Sequence, residues 1–148
     1  MKLHITFLLS ALLLICIAFS QTLHADSLQI LHARVNPTIP NMTVSSAYFD
    51  IVNRHEEAMR LDSVSSNIST HVEIHEHTMQ GGLMTMKGVA NGVSILAGET
   101  LSFQPGGYHL MIMNLQSTIK EGDLIELTFH FSDQSRKTVL AKAIRPTY

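Results

Sequence analysis

Short stretches of strand-favouring residues, separated by turns that contain glycine, constrain the fold of this chain more than any other feature. The stretches are residues 46–53, 71–75, 100–104, 108–115, 124–131 and 138–144. They are rich in β-branched and aromatic side chains, or alternate between polar and apolar ones. The intervening turns carry glycines at positions 81, 82, 98, 106, 107 and 122. Strands about every ten residues, with no sustained helical periodicity, predict an all-β fold, either an antiparallel sandwich or a small barrel.

The amino terminus has the pattern of a secretory signal peptide. Residues 5–19 are almost wholly apolar, follow Lys2 and precede small residues. A run of this length is typical of a signal peptide and too short to span a bilayer comfortably. Cleavage is expected after Ser20 or after Ala25. We therefore interpret residues 1–25 as a signal peptide and residues 26–148 as one exported domain.

Composition limits what the exported domain can bind. Cys16 is the only cysteine and lies in the predicted signal peptide, so any metal must be held by His, Met, Asp or Glu. Acylation of Cys16 is not expected, because Ile15 stands where a lipoprotein signal has a small residue. A formal net charge of −2 argues against nucleic acid as a partner. No second apolar stretch approaches membrane-spanning length, so no stable membrane insertion is expected after cleavage.

Histidine and methionine are concentrated in two patches, residues 71–86 and 109–113. Side chains two residues apart on a strand share a face. In the second patch His109, Met111 and Met113 therefore point one way, opposite two aliphatic side chains. In the first patch the same rule places His71, Glu73, His75, His77 and Met79 on one face. Two strands that each offer imidazole and thioether groups can converge on one point.

The chemistry of these groups favours copper. Thioether sulfur is soft and binds Cu(I) well, whereas Ca²⁺, Mg²⁺ and Zn²⁺ prefer other ligands. Methionine also remains a ligand in an oxidising compartment, where paired thiols form disulfides. Methionine is, however, a common core residue, and isolated histidines on strands are usually solvated. The residues alone therefore leave open both a copper site and a metal-free sandwich.

Three segments together resemble the signature of the periplasmic copper chaperones of the PCuAC family: residues 74–77, 82–86 and 105–113. The family pattern is a His, ten residues, a Met, about twenty-one residues, and then His-x-Met. Here ten residues separate His75 from Met86, and twenty-two separate Met86 from His109. Position 77 is often Met in the family and is His in this chain.

The resemblance implies a cupredoxin-like antiparallel β-sandwich that is not an enzyme and binds Cu(I) in the periplasm. It implies His75, Met86, His109 and Met111 as the ligands. The neighbouring His77, Met84 and Met113 are candidate ligands in reserve. The resemblance also implies delivery of copper to the CuA or CuB centre of cytochrome c oxidase, either to an oxidase subunit or through a thiol-bearing copper chaperone.

Three alternatives remain open from the sequence. A blue-copper electron carrier would require a thiolate ligand, which the predicted mature domain lacks. A metal-free β-sandwich interaction module would use the methionines in its core. A copper storage or resistance protein would share the site of a chaperone and cannot be distinguished from one by sequence.

The signal-peptide interpretation predicts the mass of the exported protein. Intact-mass spectrometry of the protein released from the cell envelope should show a chain that begins at Gln21 or Asp26 and carries no lipid. A lipid-modified chain beginning at Cys16 would contradict both the cleavage sites and the interpretation of Ile15.

Overall fold

The structure, a computed structural model, describes residues 27–145 and is built of β-strands. Its ten strands are β1 (Leu28–Val35), β2 (Ser45–Asn53), β3 (Met59–Ser66), β4 (His71–Gln80), β5 (Leu83–Gly88), β6 (Val93–Ile95), β7 (Thr100–Phe103), β8 (Tyr108–Met113), β9 (Leu124–Phe131) and β10 (Arg136–Ala143). The predicted signal peptide lies outside the described residues. Within residues 27–145 no helix has the length and apolar character needed to cross a membrane.

The strands are hydrogen-bonded in the order β5-β4-β8-β2-β1-β10-β9-β3-β6, and β7 pairs with β2. In a flat sheet of this order β2 and β9 would lie three strand spacings apart, roughly 14 Å. The ring centroids of Phe49 on β2 and Phe129 on β9 are nevertheless 4.8 Å apart. The sheet therefore folds over on itself and encloses a core between two layers, as predicted for a sandwich.

Strict alternation of side chains places the core on one side of each strand. Along β2, Ala47, Phe49 and Ile51 are buried, and the residues between them are only partly buried. Phe103 on β7 stacks on Phe49 with a centroid separation of 4.2 Å. The core of the sandwich is thus aromatic at its centre and aliphatic around it.

Five of the six predicted strands are found with ends that differ by at most two residues from the sequence prediction, and β4 continues five residues beyond the predicted stretch 71–75. Four further strands, β1, β3, β5 and β6, were not predicted. The antiparallel prediction is correct except at one place, because β1 pairs with β10 in parallel, with Arg34 opposite Lys142. At this junction β1 pairs with β2 on its other side, so it links the two halves of the strand order.

Strands β5, β4 and β8 form one end of the sheet, and we call them the ligand ribbon. Ile74 of β4 lies opposite Leu110 of β8, and both are buried in the core. The next residue along each strand faces the other way, and there His75 lies opposite His109. The ligand ribbon therefore has an aliphatic face toward the core and a face of histidine and methionine, which we call the ligand face.

A two-residue turn sets the register between β4 and β5. Gly81 and Gly82 both have positive φ, 58° and 82°, as a type I′ hairpin turn requires. The turn pairs Gln80 with Leu83, and counting back along the ladder brings His77 opposite Met86. These two side chains lie directly opposite each other only because the turn has two residues.

Substitutions at Gly81 test this role of the turn. Valine should open the hairpin because a β-branched residue is strained at positive φ, by about 1–2 kcal/mol. Exchange of the β5 backbone amides, followed by NMR, should then be about five- to thirtyfold faster in the Gly81→Val variant.

The matched control is Gly81→Asn, because asparagine adopts positive φ readily and is favoured in type I′ turns. A Cβ at this position meets no atom within 4 Å, so the two variants differ in backbone strain rather than in packing. Equal exchange rates in both variants would contradict the proposed importance of the turn.

Candidate metal centre

Four predicted ligand residues come together on the ligand face. His75 and His77 come from β4, Met86 from β5 and His109 from β8. The Nε2 atom of His109 lies 3.3 Å from the Sδ atom of Met86. The His77 and His109 rings stack with centroids 4.7 Å apart, and the His75 and His109 rings are 5.9 Å apart. His109 is thus the centre of the cluster.

The protonation of His109 is defined by a backbone carbonyl. Its Nδ1 lies 3.1 Å from the carbonyl oxygen of Gly107, which can only accept a hydrogen bond, so Nδ1 carries the proton. Burial lowers the pKa of His109, and the nearby His77 and His75 lower it further, against the opposing effect of the Gly107 hydrogen bond. The neutral ring therefore presents a lone pair at Nε2, directed toward the sulfur of Met86.

The orientation of His75 is defined by a carboxylate. Its Nε2 lies 2.8 Å from Oε2 of Glu73, and the other oxygen of Glu73 lies 2.8 Å from Nε2 of His71. Hydrogen bonds to His75 and then to His71 lower the pKa of Glu73, which favours the ionised acceptor. In neutral His75 the proton therefore lies on Nε2, and Nδ1 keeps its lone pair. Such carboxylate–histidine pairs are a common way to orient a metal-binding imidazole.

Two ring nitrogens in the cluster have no hydrogen-bond partner. They are Nδ1 of His75 and Nδ1 of His77, both buried. A buried polar atom without a partner costs about 1–3 kcal/mol, and such atoms are rare in folded proteins. A metal ion bound at this position would supply the missing partner.

The remaining predicted ligands lie farther along the ribbon. Met111 is half-buried opposite Glu73, one cross-strand pair beyond His75, and Ser46 donates a hydrogen bond to its sulfur at 3.9 Å. Met113 lies at the far end, opposite His71. Met84 lies at the other end, beside the hairpin turn. Met111 is therefore adjacent to the cluster, whereas Met84 and Met113 lie outside it.

Solvent reaches the cluster from one side only, the side of Met86. His109 is 3% exposed, whereas Met86 is 49% exposed. Gly88 lies opposite His75 on β5, so no side chain from that strand covers His75 there. The imidazoles form the inner part of the site, and the thioether of Met86 forms its solvent side.

Nitrogen and sulfur donors together determine which ions fit. Among residues 27–145 no three His, Asp or Glu side chains form a set that could hold a metal ion. The donors that do converge are neutral imidazole nitrogens and a thioether sulfur. This combination suits a soft monovalent ion, and Cu(I) is the biological ion that best matches it.

Sequence reasoning missed two contributors to this geometry. It placed Glu73 on the ligand face but gave it no role, although its position two residues before His75 is a usable signal. It gave no role to the backbone carbonyl of Gly107, for which composition offers no signal.

One family model matches most of this chain, and two sequence relatives are similar to it. Residues 28–143 match the LpqE-like family. The protein of Leifsonia xyli subsp. xyli named "Putative lipoprotein Lxx21020" is 32% identical over 115 residues, which are 78% of this chain and 68% of the relative. The uncharacterized protein RP573 of Rickettsia prowazekii is 29% identical over 98 residues, 66% of this chain and 54% of the relative.

Solved structures of PCuAC domains share the fold. The copper-bound PCuAC domain from PmoF2 has a TM-score of 0.67 and 19% identity, over 81% of this chain and 94% of that domain. The Cu(I) form of DR1885 from Deinococcus radiodurans has a TM-score of 0.66 and 26% identity, over 85% of each chain. These similarities confirm the cupredoxin-like β-sandwich fold and the resemblance to PCuAC domains.

The assigned ring protons can be tested without any metal. Nitrogen-15 NMR of the imidazoles at neutral pH should find the proton on Nδ1 in His109 and on Nε2 in His75. In the Glu73→Gln variant the Nε2–H form of His75 should lose population, because the anionic acceptor is gone.

The control variant is Glu76→Gln, which changes the next carboxylate along β4 on the opposite face of the strand. It should leave the His75 ring signals unchanged. A proton on Nδ1 of His75 in the unsubstituted protein would show that Glu73 does not orient this ring.

Proposed function

The chain belongs to the LpqE-like family, and from the geometry of the ligand face and the fold shared with the Cu(I) form of DR1885 we propose that it is a Cu(I)-binding chaperone. The observation that carries the proposal is the contact between Nε2 of His109 and Sδ of Met86, 3.3 Å apart. His109 offers the lone pair of Nε2, because the Gly107 carbonyl keeps the ring proton on Nδ1, and Met86 offers a soft sulfur. The Cu(I)-bound state of DR1885, which has the same fold and 26% identity, supports the assignment.

We assign His75, Met86, His109 and Met111 as the ligands. His109 contributes Nε2 and His75 contributes Nδ1, because the other nitrogen of each ring is occupied by a hydrogen bond. His77 is a competing ligand, since its own Nδ1 is buried without a partner and its ring stacks on His109. Met84 and Met113 are not assigned to this site, because both lie beyond the cluster.

The arrangement suits carriage rather than permanent retention. Met86 is half-exposed, so an incoming ligand from another protein can reach the ion on that side. Thioethers are neutral and need no proton to dissociate, so Met86 and then Met111 can leave first while the imidazoles hold the ion. Transfer then proceeds by ligand exchange. Copper remains monovalent, and no covalent bond within the protein breaks.

Location and destination belong to the same proposal. The predicted signal peptide and a relative named as a lipoprotein both support export, and we propose the periplasm as the compartment. The acceptor is a copper-binding protein, either a cytochrome c oxidase subunit that houses the CuA or CuB centre or a thiol-bearing copper chaperone. We propose no catalytic role, because the cluster provides ligands for an ion rather than groups arranged around a substrate.

A metal-free interaction module is less consistent with the structure. In such a protein the buried Nδ1 atoms of His75 and His77 would stay unpaired at a cost of about 1–3 kcal/mol each. Storage or resistance would use the same site and differs from delivery only in what happens to the ion afterwards.

Copper titration tests the assignment. Under anaerobic conditions the protein should take up Cu(I) in competition with a chromogenic Cu(I) chelator. The variants His109→Ala and Met86→Leu should each weaken the affinity more than about tenfold, which corresponds to 1.4 kcal/mol or more. A variant pair, His75→Ala and His77→Ala, identifies which of the two β4 histidines binds the ion.

Met42→Leu is the matched control, because it removes an exposed thioether outside the ligand ribbon. It should leave the affinity unchanged. Absence of Cu(I) uptake by the folded protein would overturn the proposed function. If His77→Ala weakens the affinity for Cu(I) and His75→Ala does not, the ligand on β4 is His77 rather than His75.

A further inference from the structure

The tip of the β4–β5 hairpin carries apolar side chains that the inner cluster does not use. Met79, Leu83 and Met84 are 65%, 72% and 63% exposed. Every residue of β5 is exposed, and Lys87 is its one charged residue. Edge strands usually carry charges that discourage association, and exposed apolar clusters commonly mark binding sites. This tip therefore has the composition of a binding surface rather than of a solvated hairpin.

The register of the hairpin arranges its sulfur atoms in a specific way. Met79 lies directly opposite Met84, and the next pair on the same face is His77 with Met86. Directly opposed side chains on antiparallel strands have Cβ atoms about 4.5–5.5 Å apart. Methionine side chains are flexible, so two opposed thioethers can close on one soft ion.

Successive pairs lead from the tip to the buried histidine. The outer pair is Met79 with Met84, the next is His77 with Met86, and Met86 in turn contacts His109. Exposure falls along this path, from about two thirds at the outer pair to 3% at His109. Each pair contains at least one thioether, so a soft ion meets a suitable ligand at every level.

We propose that Met79 and Met84 form an outer Cu(I) site, at which the ion is exchanged with donor or acceptor proteins. The inference rests on the proposed function, because it requires an inner site to which the ion passes. The His77–Met86 pair connects the two sites. At each step one bond from copper to nitrogen or sulfur forms and another breaks, and the ion remains Cu(I) throughout.

Two thioethers bind Cu(I) more weakly than a site that also contains imidazoles, because they are poorer electron donors. An ion therefore occupies the outer site only in transit or when the inner site is already filled. This ordering gives the outer site a signature distinct from that of the inner site, since it fills second.

Methyl NMR of the protein with ¹³C-labelled methionine measures the filling order directly. On anaerobic titration with Cu(I) alone, the first equivalent should shift the ε-methyl signals of Met86 and Met111. The second equivalent should shift those of Met79 and Met84. Signals of Met79 and Met84 that stay unchanged after two equivalents would overturn the outer site.

The same titration separates this inference from the proposed function. Met86 and Met111 signals that do not respond to the first equivalent would refute the inner site, whatever the outer methionines do. A response of Met86 and Met111 with none at Met79 and Met84 would refute only the outer site.

Transfer kinetics provide the second measurement. The double variant Met79→Leu, Met84→Leu keeps the apolar volume of the tip and removes both sulfurs. It should leave the affinity of the inner site unchanged and slow the release of Cu(I) to a chromogenic chelator about fivefold. Met42→Leu is the control and should release copper at the unsubstituted rate. Equal release rates in all three proteins would contradict a role for the outer pair in exchange.

Discussion

The pairing of β4 with β8 is the constraint on which the rest of the candidate site depends. Ile74 and Leu110 face each other in the core, and this contact fixes the register of the two strands. His75 and His109 face each other on the opposite side as a direct consequence. A slip of β4 by one residue against β8 would turn His75 into the core and Ile74 into solvent, and His75 would no longer lie opposite His109. Burial of the aliphatic side chains in the core thus fixes the positions of the two histidines on the opposite face.

Alternation in the sequence was sufficient to predict the two faces of β4 and β8, because both strands are regular and half-buried. It failed for β1 and β3, where the register shifts between Leu31 and Arg34 and between Leu61 and Ser63. His32, inside the first of these irregularities, has a φ of 54°, which breaks the two-residue period. A three-residue strand such as β6 is too short to show any period. The parallel pair of β1 with β10 depends on long-range packing, which no local pattern reports.

The resemblance to the PCuAC signature implied His75, Met86 and His109 as ligands, and the structure places these three side chains in one cluster. The sequence could not predict which nitrogen of each ring is free. That choice depends on the Gly107 carbonyl and on the Glu73 carboxylate, and the first of these belongs to a tight turn whose geometry appears only in three dimensions. Sequence also could not rank His75 against His77, because both lie on the same face and both have an unpaired Nδ1.

The ligand face offers more soft donors than one Cu(I) ion can use at once, and this excess has a physical consequence. An ion that leaves a ligand for water must pass through a poorly coordinated state. An ion that leaves one donor for an adjacent one does not, because the new bond forms as the old one lengthens. Closely spaced thioethers and imidazoles therefore lower the barrier to movement without lowering the affinity of the final site. The buried His109 determines how firmly the ion is held, and the exposed methionines determine how fast it can be exchanged.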